Sequence, residues 1–299
     1  MGKFLLKILK NPKGRLGVIL VGIVVLCAIF APYLTPYELD AYDIANGLTK
    51  PSLSHPLGTD KNGIDILTQL LYGARISLII GVTTGLCVTL LGATLGIVST
   101  YFGKVSAAVI LNTINVLLVV PTTPLMMIAV FTLFGWCGTA RMVRAQVLSV
   151  MNMNYIRAAE LAGGSRTYIM FRHIMPSVSH LLIMNCALSC AGFMIAEAGL
   201  SFIGLGDPSV MSWGKILVAA QESAFTSGLW AWVIAPGVAI FVTVFGFMQI
   251  GGALEEILNP KMRRRSQKRT ADISVEAVFA SMTDISEEEA LALKEAGGY

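Results

Sequence analysis

YIRAAELAGGSRTYIMFRHIMP, Tyr155 to Pro176, is a polar, cationic stretch set between two long apolar runs. Tyr155–Ala162 suits a short helix, and Gly163-Gly164 then ends it, because glycine readily takes the left-handed conformation of a helix cap. Ser165 can cap a second helix over Arg166–Met175, which Pro176 closes before the next apolar run. The spacing therefore predicts a helix-glycine-helix elbow, a rigid lever joined to the apolar segments on either side. Ala158 and Ala159 leave bare, backbone-like surface that another protein can approach closely. Such an elbow does nothing for burial in lipid, so it reads as a docking surface for a partner.

Outward from the elbow the chain is built for a membrane. Hydrophobic residues are 55% of 299 positions and charged ones 13%, against roughly 45–50% and 25% in a soluble domain. Charge-free runs extend over Leu16–Tyr37, Ile76–Gly103, Val105–Ala140, Ile174–Ala196 and Ser223–Leu254. Each is long enough for the roughly 20 residues a helix needs to cross hydrocarbon, and the ten-residue alternation of a β-barrel is absent from the sequence. Lys3, Lys7, Lys10, Lys13 and Arg15 precede the first run. It is too long for a signal peptide, and Pro32 and Pro36 stand where a small-residue cleavage site would be. It reads as a retained first span with its N-terminus in the cytoplasm.

With that orientation Glu38–Arg75 is external, and the second span returns to a cytoplasmic loop at Lys104. The run Val105–Ala140 must cross twice, since Arg141, Arg144, Arg157, Arg166 and Arg172 form another basic cluster on the cytoplasmic side. Its 36 positions give about 54 Å of helix, whereas two crossings need about 60 Å. Pro121 and Pro124 mark the turn, and the fourth helix must borrow length from Arg141–Leu148. A fifth span is predicted over Ser177–Phe202, an external segment over Gly204–Gln221 and a sixth span over Gly228–Leu254. Both termini are then cytoplasmic. The expected fold is all-α, a polytopic bundle of six transmembrane helices with an unusually short third and fourth pair. Its parts are an N-terminal segment 1–15, a membrane domain 16–260 and a cytoplasmic tail 261–299. The acidic tail has the composition for one or two short helices, with Ser286 and Glu289 spaced as a capping box; it is either lightly packed or regulatory.

Gly81 and Gly85, then Gly92 and Gly96, are spaced four apart and imply close helix packing. Cys27, Cys87, Cys137, Cys186 and Cys190 lack metal spacing and read as small apolar fillers. Phosphate-loop glycines are missing around Lys104 and Lys215. His55, His173 and His180 form no catalytic pattern, so no catalytic or metal-binding residue is expected. Glu197 is the one carboxylate inside a span; near an interface, it reads as structural and hydrogen-bonded.

The elbow resembles the EAA loop of binding-protein-dependent ABC importer permeases: Glu-Ala-Ala, three residues, Gly, about ten residues, then Ile-x-Pro. Ala158, Ala159, Gly163, Ile174 and Pro176 match, while the glutamate position holds Arg157. HPLGTDKNGIDILTQLLYGARISL (His55–Leu78), TARMVRAQVLS (Thr139–Ser149), EAGLSFIGLG (Glu197–Gly206) and SWGKIL (Ser212–Leu217) narrow the likeness to the second permease subunit of the peptide, opine and nickel importers. The likeness runs from about Leu16 to Pro260.

The resemblance implies the type I ABC importer permease fold in a prokaryotic cytoplasmic membrane. It implies a heterodimer with a homologous permease subunit, two cytoplasmic ATPases that bind ATP and Mg themselves, and an extracytoplasmic solute-binding protein. The chain itself needs no cofactor, and its surroundings are the lipid bilayer, with no nucleic-acid partner. Arg157, Ala158, Ala159, Glu160, Gly163 and Ser165 would meet the ATPase, Glu160 partly substituting for the carboxylate that Arg157 replaces. Phe202, Leu205 and Trp213 would lie near the solute-binding protein, or form a turn tucked onto their own bundle. Relatives carry roughly twenty more residues between the positions of Pro121 and Trp136. The cargo is expected to be di- or oligopeptides, with nickel chelates or oligosaccharides as alternatives. An ATP-independent secondary transporter is the rival class, but it would need inverted repeats or charged paths that the sequence lacks.

Overall fold

Asn11 starts the first crossing in the computed structural model, which describes residues 2–39, 42–101, 123–227 and 230–258. Its side-chain oxygen accepts from the backbone N–H of Lys13 at 2.9 Å and Gly14 at 3.4 Å. With Pro12 in the first turn, where its missing N–H costs nothing, the span begins at Pro12 and not at Leu16. A short helix α1 (Gly2–Lys10) precedes it, and α2 (Pro12–Ile29) makes the crossing. Pro32 then begins α3 (Ala31–Leu34), so the first span stops well before Tyr37.

The second span also starts earlier than expected, at Ile66 instead of Ile76. Asp65 supplies the reason: its Oδ2 accepts from the N–H and the hydroxyl of Thr68, both at 2.8 Å, capping a helix in front of the apolar run. The resulting α4 (Ile66–Tyr101) has 36 residues, about 54 Å against a hydrocarbon core of about 30 Å. The third crossing and Pro121 lie outside the described residues. Thr123 caps the next helix through its hydroxyl and Pro124 enters the first turn, so α5 (Pro124–Met151) makes up its 28 residues by running on through Arg141.

The elbow follows as α6 (Asn154–Leu161) and α7 (Arg166–Ile169). Pro176 does not close the second helix. A π-turn at Met170–Ile174 leads straight into α8 (Met175–Leu200), with the Met175 N–H bonding to the Met170 carbonyl. Inside an α-helix Pro176 would clash with the carbonyl four residues back; the wider turn just before it absorbs the misfit. A second π-turn, Ser201–Leu205, ends α8 at Gly204, whose φ is +83°. Then come α9 (Trp213–Ser227) and α10 (Trp230–Leu258). Five helical stretches among the described residues are long and apolar enough to cross a membrane. No strand occurs among the described residues; Thr59 and Asp65 form a lone antiparallel bridge.

Close contacts fix the directions of the helices. Near the start of α4, Arg75 donates to the carbonyls of Ala28 (2.6 Å) and Ile29 (3.0 Å), so α4 runs antiparallel to α2. Gly17 and Gly14 lie against Gly246 and Ala253 respectively, which makes α10 antiparallel to α2 as well. On α4, Gly81 and Gly85 meet Met194 and Cys190 of antiparallel α8, whereas Gly92 and Gly96 meet Thr139 and Val143 of parallel α5. Successive described spans α4 and α5 therefore point the same way. The basic clusters at α1–α2 and at the α5–α6 junction gather at one end of the bundle.

Two cores result. One joins Ile66, Ala191, Met194, Trp213, Ile216 and Trp232 toward the opposite end. The other joins Ile97, Val143, Val147, Val150, Ile156, Ile169, Ile174 and Val178 at the basic end. The chain divides into two units, Met1–Leu254 and Glu255–Tyr299. The tail reading, with its Ser286–Glu289 capping box, lies outside the described residues.

Candidate functional site

The elbow is amphipathic in the round. Ile156 of α6, Ile169 of α7 and Ile174 of the π-turn are buried in the basic-end core, which also takes the ends of α4, α5 and α8. Gly163 has φ +82°, its N–H bonds to the Glu160 carbonyl at 3.0 Å, and the Gly164 N–H bonds to Ala159 at 3.0 Å. This is the glycine cap expected at the corner. Ser165 accepts from the Tyr168 N–H at 3.2 Å and starts the second arm. Tyr155 and Ser177 share a hydroxyl contact of 3.3 Å, and the His173 ring sits 6.1 Å from Tyr155 and 5.9 Å from Tyr168. The two arms are tied across the corner.

The outer face carries the residues singled out from the sequence. Arg157, Ala158, Glu160, Gly163 and Ser165 are exposed, and Ala159 is half-buried beneath them. Three large side chains that the sequence reading passed over share the exposed side: Leu161, 90% exposed, Tyr168 and Phe171. Their signal was available, since apolar residues on the solvent side of a short cationic helix gain nothing by exposure unless something covers them.

A second constellation stands at the far end of α8. Glu197 is 1% exposed. Ser77 of α4 donates to its Oε2 at 3.0 Å and Ser201 to its Oε1 at 2.9 Å, while the Trp213 N–H donates to the Ser77 oxygen at 3.2 Å. Glu197 thus ties α4, α8 and the start of α9 together, the hydrogen-bonding role expected of it. Among the residues proposed for the external surface, Phe202 and Leu205 are exposed. Trp213 follows the second of the two readings, tucked onto its own bundle: it is 2% exposed, with its indole N–H donating to the Leu70 carbonyl at 2.9 Å. Its large apolar ring is worth most in the core, and the single polar atom finds a carbonyl there. Nearby, the Ser209 hydroxyl and N–H donate to Asp207 and hold its carboxyl below the usual carboxylate range. Burial lowers the Lys215 ammonium, and the Asp207 charge partly opposes that.

The stretch before α4 forms a third, self-contained knot. Asp60 Oδ1 accepts from the N–H groups of Asn62 (2.8 Å) and Ile64 (2.9 Å), and its Oδ2 accepts from Gln69 at 2.7 Å. His55 Nδ1 lies 3.1 Å from Asp65, and its ring stacks on Tyr37 at 4.7 Å. Gly58 and Gly63 have positive φ, and a Cβ on Gly63 would sit 1.9 Å from the Asp43 carbonyl oxygen. The HPLGTDKNGIDI motif therefore folds the entry to the second span. Among the described residues no cluster of His, Cys, Asp and Glu could hold a metal.

Comparison with known proteins agrees with this arrangement. The family described as binding-protein-dependent transport system inner membrane component matches residues 89–264, and the N-terminal TM domain of oligopeptide transport permease C matches residues 1–51. The oligopeptide transport system permease protein OppC of Bacillus subtilis is 30% identical, covering 87% of this chain and 89% of its own length. The dipeptide transport system permease protein DppC of Alkalihalophilus pseudofirmus is 32% identical over 85% of this chain and 88% of its length. OppC of Mycobacterium tuberculosis is 33% identical over 78% and 84%. With its bundle of apolar helices, its corner at Gly163 and these matches over most of its length, the chain belongs to the inner-membrane permeases of binding-protein-dependent ABC transport systems.

Proposed function

We propose that this chain is half of the translocation path of a peptide importer and takes its power from a cytoplasmic ATPase through the elbow. The observation that carries the reading is the two-sidedness of Tyr155–Pro176. Ile156, Ile169 and Ile174 lock it onto the helix ends, while Arg157, Ala158, Glu160 and Leu161 are left facing out. A partner that moves the outer face must move α5 and α8 with it. The named relatives are oligopeptide or dipeptide permeases, which favours peptides over nickel chelates or oligosaccharides as cargo.

In this reading a homologous permease completes the path, two ATPases each receive one elbow, and a solute-binding protein delivers the peptide from outside. Both termini lie in the cytoplasm, where the basic clusters resist translocation. ATP-driven closure of the ATPases displaces the elbows and switches the path between inward- and outward-facing states. Gly163→Pro, or replacement of Ala159 by Phe, is expected to abolish co-purification with the ATPase. Retained binding in both variants would remove the elbow as the coupling site. Stimulation of ATP hydrolysis by di- to hexapeptides, in the presence of the binding protein, tests the cargo; a silent panel would overturn it.

A further inference from the structure

The helix α1 takes no part in the elbow, the Glu197 network or the knot before α4. Lys7 and Lys10 stand three residues apart, on one helical stripe. Ile8 is buried, while Leu6 (57% exposed) and Leu9 are exposed beside Lys7 and Lys10. Only Asn11 separates α1 from the membrane-crossing α2, and its N–H bonds back to the Ile8 carbonyl at 3.1 Å. Gly14 makes the fold-back possible, because a Cβ there would lie 2.4 Å from the Ile8 oxygen and 3.0 Å from the Ala253 side chain. The helix is thus pinned at the mouth of a transmembrane segment, with leucines and lysines together on its uncovered side.

In water those leucines would be a liability; in hydrocarbon the lysines would be. The one place that suits both is the lipid headgroup boundary, where apolar side chains enter the acyl region and lysines snorkel to phosphate. We propose that α1 is an interfacial anchor that binds anionic phospholipid headgroups through Lys7 and Lys10. The cationic stripe is what selects anionic over zwitterionic lipid, and the fold-back at Asn11 and Gly14 is what holds the helix in the plane of the headgroups.

The test uses the full chain in nanodiscs of phosphatidylcholine alone, or of phosphatidylcholine mixed with an equal amount of phosphatidylglycerol. Hydrogen exchange of the Leu6–Lys10 amides is read in each. Exchange slows in the anionic discs, by on the order of fivefold for each lysine engaged, and molar salt removes the difference. K7Q combined with K10Q loses the lipid dependence, whereas K7R with K10R keeps it. Unchanged exchange in α4 and α8 shows that the variants are folded. Equal exchange in both lipids overturns the proposal, and so does a difference that survives molar salt. Protection that follows the addition of an ATPase instead of the lipid would give this face to a protein and equally overturn it.

Discussion

Glu197 is a carboxyl group held in a membrane helix by two serine hydroxyls. An ionisable group placed so deep is costly unless its oxygens are satisfied, and here each oxygen receives one serine hydroxyl. The Trp213 N–H, by donating to Ser77, polarises one of those hydroxyls further. Glu197→Gln keeps the shape and one acceptor oxygen, so thermal unfolding of the purified protein should fall by only a few degrees. Glu197→Leu strands both hydroxyls in the core and should cost about 2–5 kcal/mol. A Leu variant as stable as the parent would mean that the network contributes nothing. The sequence made Glu197 conspicuous, yet it hid Ser77. A serine in a membrane helix has its own backbone as default partner, so nothing in the chain announces a bond across 120 positions. The sequence left Trp213 open between surface and bundle for a related reason: a polar segment surrounds it, and only the fold supplies the Leu70 carbonyl that lets the indole go inside.

Among the helices, α4 organises the rest, and its glycines show how. Gly81, Gly85, Gly92 and Gly96 lie on one stripe, which meets α8 along its first half and α5 along its second. From spacing alone the stripe said that a helix would pack closely. It could not say that two would share it, because both need the same small surface. Gly85→Ala places a methyl 2.8 Å from the Cys190 backbone nitrogen and 2.6 Å from its sulfur. Backbone cannot step aside cheaply, so this variant should lower the unfolding temperature. Gly138→Ala, which meets nothing within 4 Å, should leave it unchanged or raise it, since alanine is better in a helix by about 1 kcal/mol. Equal behaviour of the two would rule out the stripe as the packing determinant. Helix boundaries were the least legible feature of the sequence. Asn11 and Asp65 extend α2 and α4 beyond their apolar runs through capping bonds that hydropathy does not register.

Across the whole molecule, α8 connects the two sites. Its 26 residues make a rod of about 39 Å, with the elbow on the π-turn at its start and Ser201, the partner of Glu197, opening the π-turn at its end. Movement of the lever therefore reaches the α4–α9 junction without passing through a loop. Pro176 was read as the end of the second elbow helix, and in the fold the winding runs on through it into the span. The proline disfavours a regular α-turn, and the π-turn that stands there adds one residue to the winding, rotating the lever by about 100° relative to α8. Pro176→Ala removes the reason for that turn and lets regular hydrogen bonding return. On the proposed reading of the elbow as the ATPase contact, its outer face would be intact in the reconstituted importer, so ATPase binding should persist. The lever, however, would point elsewhere, and peptide uptake per ATP hydrolysed should drop several-fold. Loss of ATPase binding would place Pro176 in the docking surface itself, and unchanged uptake per ATP would show that the turn does not set the direction of the push.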